Sequence, residues 1–249
     1  MNVVRTLHTA GGIAGLCGGL CVVFGIMGLK YYFGYPDIIR AEPGVILQRI
    51  HELRHIVPFL YYFGVGGAGI SMFFFAIIFG MLLEYSGERV YSKFGQCCGI
   101  VAGVLLFTGI IRYSILFPSL GQLRATGQFD AADIDLVFKA MNTYVGESIA
   151  EHAQFLFSSM MFLFFGISIL KTKVLPKWIA LFAIATTVVI LIGNLEQFGC
   201  KFAFFFNRTA AKMLALWLLA TGMVLLWKRF KAGAKLAGNF LDRTCDKSL

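Results

Sequence analysis

Six apolar stretches, at 9–29, 56–83, 96–118, 144–170, 178–200 and 210–227, leave this chain few ways to fold outside a membrane. Each comes close to or exceeds the roughly 20 residues that a helix needs to cross a hydrocarbon core. In lipid the backbone must satisfy its own hydrogen bonds, and long unbroken apolar runs select helices over the alternating strands of a barrel. Composition agrees: 58% of residues are apolar and 14% are charged, too few charges to cover a soluble surface. The mean hydropathy is +0.77. The expected fold is therefore all-α: a polytopic membrane protein with six transmembrane helices in one bundle over 1–227, and a basic tail over 228–249.

Charge distribution sets the expected orientation. Arg5, the 84–95 loop, the 171–177 loop (Lys171, Lys173, Lys177) and the tail carry twelve of the 22 Lys/Arg but four of the 13 acidic residues. Raw Lys/Arg counts differ little between the two sides, so the compact basic 171–177 loop and the basic tail decide, and both termini are expected in the cytoplasm. The formal net charge of +9 is then in good part a tail facing an anionic leaflet, which makes membrane lipid a partner. Nothing resembles a module that reads nucleic acid. The first stretch has only Arg5 before it, lacks a small-x-small cleavage site and runs on into Lys30, so it is expected as a retained span. Of the six cysteines, Cys17 and Cys21 fall one helical turn apart and Cys97 and Cys98 are adjacent. Without a CxxC they read as packing thiols, not a disulfide framework.

Two connections on the expected outer side carry helix signals. Glu42-Pro43 opens a helix, since proline fits a first turn. Its apolar positions Ile46, Ile50, Leu53, Val57 and Leu60 recur at helical spacing, which carries it into the second span with a kink near Pro58. Asp130 followed by Asp133 is a capping signal, and Ile134, Val137, Phe138 and Met141 form the stripe of an amphipathic helix leading to the fourth span. Gly64, Gly66, Gly67 and Gly69 predict a close helix contact in the second span.

The chemistry lies in eight ionisable residues within or beside the spans: His51, Glu52, His55, Arg112, Glu147, Glu151, His152 and Glu196. All are expected at one membrane face. Each such group costs about 2.5–3.5 kcal/mol at membrane depth, so several together imply a built site. His51-Glu52-Leu53-Arg54-His55 matches H-E-x-x-H. On a helix its two histidines stand one turn apart and can hold a zinc ion while Glu52 acts as catalytic base. A third ligand would come from Glu147, Glu151 or His152 if the second and fourth spans meet. Iron ranks below zinc, because Glu52-x-x-His55 is one half of a carboxylate-bridged pair whose other half is missing. Haem ranks with iron, since two histidines on different helices suffice as axial ligands but no attachment motif is present. A metal-free reading uses the same groups. Arg112 lies well inside a span, and Glu147 and Glu151, one turn apart, are expected to neutralise it, with Glu196 approaching from the fifth span. That arrangement is either a structural network between helices or a polar pocket for a small molecule or lipid headgroup. In the pocket, Arg112 would meet an anionic group, Glu147 and Glu151 would be counter-ions or acceptors, His152 would hydrogen-bond or titrate, and Glu196 would complete the ligand-binding set. No internal repeat marks a transport pathway.

Ile111-Arg112-Tyr113 with Phe117-Pro118, Tyr144-Val145-Gly146, Ala150-Glu151-His152, Leu175-Pro176-Lys177-Trp178-Ile179 and Leu216-Trp217-Leu218-Leu219-Ala220 are motifs spaced over roughly 112–227. As a set they resemble a large family of bacterial six-span membrane proteins known as a domain of unknown function. The resemblance implies the six-span fold and residence in a bacterial inner membrane, implies no chemistry, and singles out Arg112, Glu151 and His152. Asn142 stands where many relatives carry histidine, and Ala150 stands where the pattern has glycine. The His51–His55 segment lies outside the resembling region. The expected function is binding or sensing of a small molecule or lipid near the periplasmic side. The alternatives are a metal-dependent hydrolase using His51, Glu52 and His55, and a structural or accessory subunit.

Overall fold

A computed structural model describes the backbone of residues 2–245 and the side-chain surroundings of residues 3–231, and among these every regular element is helical. In chain order the α-helices are α1 (Asn2–Tyr32), α2 (Pro43–Glu52), α3 (Ile56–Phe59), α4 (Gly67–Tyr85), α5 (Val90–Ile110), α6 (Leu116–Thr126), α7 (Ala131–Met141), α8 (Gln154–Thr172), α9 (Lys177–Gly193) and α10 (Ala203–Cys245). Together with the tighter and wider turns that join them, they make six helices long and apolar enough to cross a membrane: Val3–Tyr32, Ile56–Tyr85, Val90–Thr126, Ala131–Thr172, Lys177–Phe198 and Ala203–Lys231. These coincide with the six apolar stretches and mostly extend past them. Of the basic tail, Lys228, Arg229 and Lys231 fall within the described side chains, while Lys235, Arg243 and Lys247 lie outside them.

Each long helix packs on the one before it, and α1 closes the ring against α10. The middle of the ring is filled by aromatic side chains. The buried Trp217 ring meets Phe75, Phe79 and Phe162 edge-on, with centroids 5.7, 6.2 and 5.0 Å away. Its indole N–H donates to the carbonyl of Ile179 at 3.0 Å, supplying the partner that a buried indole needs. On the outside, Phe24, Phe74, Leu181 and Leu216 are exposed, as lipid-facing positions are. Burial from lipid brings little hydrophobic gain, so helices hold together through close packing of small residues. At the contact of α4 with α5, a Cβ on Gly69 would stand 2.9 Å from the carbonyl oxygen of Gly103. A Cβ on Gly103 would stand 2.7 Å from that of Gly69 and 2.8 Å from the backbone nitrogen of Phe73.

At one end of the bundle the spans depart from α-helical geometry. Glu42 occupies the N-cap position of α2 with Pro43 at the helix start, and Ile46 and Ile50 are buried, as the spacing predicts. The expected continuous run into the second span does not form. The helix stops at Glu52, three residues turn, and α3 begins at Ile56 with Pro58 in its first turn. Proline cannot donate to the carbonyl four residues back and its ring crowds that carbonyl, so the break falls ahead of Pro58 instead of at it. A π-helix follows over Leu60–Gly66. In the third span Pro118 likewise sits in the first turn of α6, behind a 3-10 turn at Ile111–Tyr113. The two breaks are tied together, since the Ser114 hydroxyl donates to the Pro58 carbonyl at 3.0 Å. Asp130 caps α7 by accepting from the backbone N–H of Ala132 at 2.8 Å, and Ile134 and Phe138 are buried beneath it. The fourth span continues from α7 through a twelve-residue π-helix, Asn142–Ala153, into α8.

Candidate functional site

The 38–40 turn and the irregular segments of the third, fourth and fifth spans surround a cavity of about 290 Å³ lined by Ile39, Arg40, Arg112, Tyr113, Asn142, Glu147, Glu151, Glu196 and Gln197. Arg112 comes from the 3-10 turn of the third span and is 7% exposed. One terminal nitrogen donates to the carbonyl of Gly109, three residues back in the last turn of α5. The other donates to Asn142 Oδ1 at 3.2 Å, and Nε has no partner. The guanidinium carbon lies 4.8 Å from the centroid of the Tyr113 ring and 5.7 Å from that of Phe117. Tyr113 in turn stacks on Tyr61, with centroids 4.0 Å apart, so an aromatic floor fixes the cation from below. Gly146 makes the room above: a Cβ there would run into the guanidinium.

The π-helix decides which side chains of the fourth span meet this cation. At about 3.6 residues per turn, Asn142 and Glu151 would sit on opposite faces. With i→i+5 hydrogen bonds, a turn takes between four and five residues. Asn142, Gly146, Glu147 and Glu151 then share a face, and the three polar ones line the cavity. The expected ion pairs from Arg112 to Glu147 and Glu151 do not form. Arg112 is held by an amide and a carbonyl instead, and among the described residues neither carboxylate makes a hydrogen bond or an ion pair. Glu196 is engaged elsewhere, accepting from Arg40 Nη2 and from Asn207 Nδ2, each at 2.8 Å. The Arg40 guanidinium lies 3.8 Å from the centroid of Phe204, so this group clamps the 38–40 turn to the 3-10 turn at Asn194–Phe198 and to α10. Nearby, burial first and the Glu151 charge second push the Tyr35 hydroxyl up to about 12, which keeps it a proton donor.

The other half of the expected cluster lies apart. His152 adjoins Glu151 but points off its face. Its ring meets Phe198 edge-on at 5.7 Å, its Nδ1 is buried without a partner, and it does not line the cavity. His51 and His55 fall on either side of the turn that ends α2, so the single helix required for zinc ligation is not present. Glu52 is exposed and accepts from Arg49 at 3.0 Å and Gln48 at 3.2 Å. These hydrogen bonds, Arg49's first, hold its carboxyl below the ordinary carboxylate range, the wrong direction for a general base working near neutrality. Among the described residues no three His, Cys, Asp or Glu side chains group closely enough to hold a metal ion. The eight residues therefore do not form one Arg/Glu/His cluster, and His51, His55 and His152 do not converge as ligands. Elemental mass spectrometry of purified wild type and His51→Ala is expected to give equal zinc and iron content; stoichiometric zinc lost in the variant would reinstate the metal site.

A family profile matches residues 12–229, nearly the whole of the described helical ring. The chain belongs to the DUF4386 family. That family is a domain of unknown function. Neither the curated proteins nor the solved structures give a significant match. Membership covers the N-terminal spans as well as the region where the motifs lie, so the HELRH turn of this DUF4386 protein falls within the matched residues. Sequence reasoning passed over Arg40 and Gln197 as site residues. Tyr113 and Gly146 carried a signal as members of the spaced motif set, and Asn142 as a departure from it.

Proposed function

We propose that this DUF4386 protein binds a small polar molecule or a lipid headgroup in the cavity, with Arg112 meeting its anionic part. One observation carries the reading: a buried guanidinium with no carboxylate partner and an unpartnered Nε lines a cavity of about 290 Å³. A charge at membrane depth is costly, and it is retained where it lines a site or a path. The distribution of Lys and Arg supports both termini in the cytoplasm, and the motif set supports a bacterial inner membrane, which would open the cavity toward the periplasmic side.

Native mass spectrometry of the full chain, released from its own membrane, tests the reading against Arg112→Met. A bound species is expected on wild type and absent from a folded, monodisperse Arg112→Met. The same bound species on both proteins would overturn the proposal.

A further inference from the structure

We infer that the ligand is a zwitterion of the phosphoethanolamine type, its ammonium received by Glu147 and Glu151 while its anionic end meets Arg112. The inference rests on the cavity reading above and goes further by naming the chemical class. Its basis is the separation of opposite charges in one small space. Arg112 is tethered by the Gly109 carbonyl and by Asn142, with no carboxylate oxygen within 4.0 Å of its nitrogens. Gly146 lets the guanidinium lie against the π-helix in that tethered position. On the same face of that helix Glu147 and Glu151 line the cavity with no hydrogen-bond or ion-pair partner among the described residues.

Charges of opposite sign left in contact would pair with each other and close the space. Here neutral tethers hold them apart, so each is free to meet a complementary group on a ligand. The remaining charges do not compete, because Arg40 and Glu196 neutralise each other at 2.8 Å. A plain anion would satisfy Arg112 but would face two carboxylates. A plain cation would satisfy the carboxylates but would face Arg112. A group with both charges a few atoms apart satisfies both sides.

Such a group comes either free or as the headgroup of a zwitterionic lipid. The test titrates detergent-purified full chain with phosphoethanolamine, ethanolamine and inorganic phosphate by calorimetry. It also compares thermal stability in nanodiscs of phosphatidylethanolamine with that in nanodiscs of phosphatidylglycerol. Phosphoethanolamine is expected to bind at least about tenfold more tightly than either half alone, the equivalent of one added ion pair. The double variant Glu147→Gln/Glu151→Gln, monodisperse and with wild-type helicity, is expected to fall to the affinity of phosphate. Stabilisation in the phosphatidylethanolamine discs alone assigns the lipid as the source, and binding of the soluble compound alone assigns the free molecule; both support the inference. Phosphate binding as tightly as phosphoethanolamine, with Arg112→Met abolishing both, overturns the zwitterion and leaves the Arg112 reading standing. No response to any of the compounds or discs overturns the zwitterion as well, and the native mass comparison then decides the broader reading by itself.

Discussion

Arg112→Met is expected to leave the detergent-purified protein as stable as wild type, or more stable by up to about 2 kcal/mol, while abolishing ligand binding. The substitution keeps an unbranched stem of similar length and removes only the guanidinium. In the structure that guanidinium is buried, pairs with no carboxylate and leaves Nε without a partner. Its desolvation is therefore offset by two hydrogen bonds to neutral oxygens, by the Tyr113 and Phe117 rings and, without contact, by the nearby Glu151 charge. Replacing buried charges with apolar groups of similar volume is often neutral or stabilising, whereas removing a well-paired charge is not. Asn142 faces the cavity, so its amide keeps access to solvent after the change. The measurement is thermal unfolding of both proteins beside the binding experiments. A loss of more than about 2 kcal/mol would make Arg112 a structural strut and favour the accessory-subunit alternative.

Gly103→Val is expected to be the most damaging single change in the membrane-spanning part. Two backbones meet at this position, and the Cβ alone would stand within 2.8 Å of the Phe73 nitrogen and within 2.7 Å of the Gly69 oxygen. Neither neighbour is a flexible side chain that could swing away, so α4 and α5 must separate. Overpacking of ordinary cores costs about 1–3 kcal/mol, and a backbone contact belongs at or above the upper end. For a chain of this size that corresponds to a fall in Tm of roughly 6–12 °C. The control is Val104→Leu on the next residue, which is 48% exposed on the outside of the ring and is expected to leave Tm unchanged. Equal Tm for both variants would show that the α4–α5 contact is not a tight seam.

Much of the architecture was legible in the residues, because its causes are local. A run of about 20 apolar residues must be a helix in lipid whatever its neighbours do, so six spans follow from hydropathy. Pro43 at a first turn and Asp130 at a cap act within a few residues of themselves, and both helices start where expected. Gly69 reads as a packing residue for the same reason, although its partner Gly103 is named only by the fold.

The site is a different matter. Pairing Arg112 with Glu147 and Glu151 follows from the attraction of opposite charges, and it assumes α-helical spacing on the fourth span. The π-helix over Asn142–Ala153 changes that spacing, turns Asn142 toward Arg112 and turns His152 away toward Phe198. HELRH fails for a related reason, since the helix that would align its histidines ends at Glu52 ahead of Pro58. Arg40 entered the site through a short turn that hydropathy does not register. The sequence by itself thus determined the number, length and apolar character of the helices, because these depend on each segment's transfer into lipid. Only the tertiary structure decided which charges face one another. The phase of a helix depends on every residue before it, and one extra residue per turn moves each later side chain to another face.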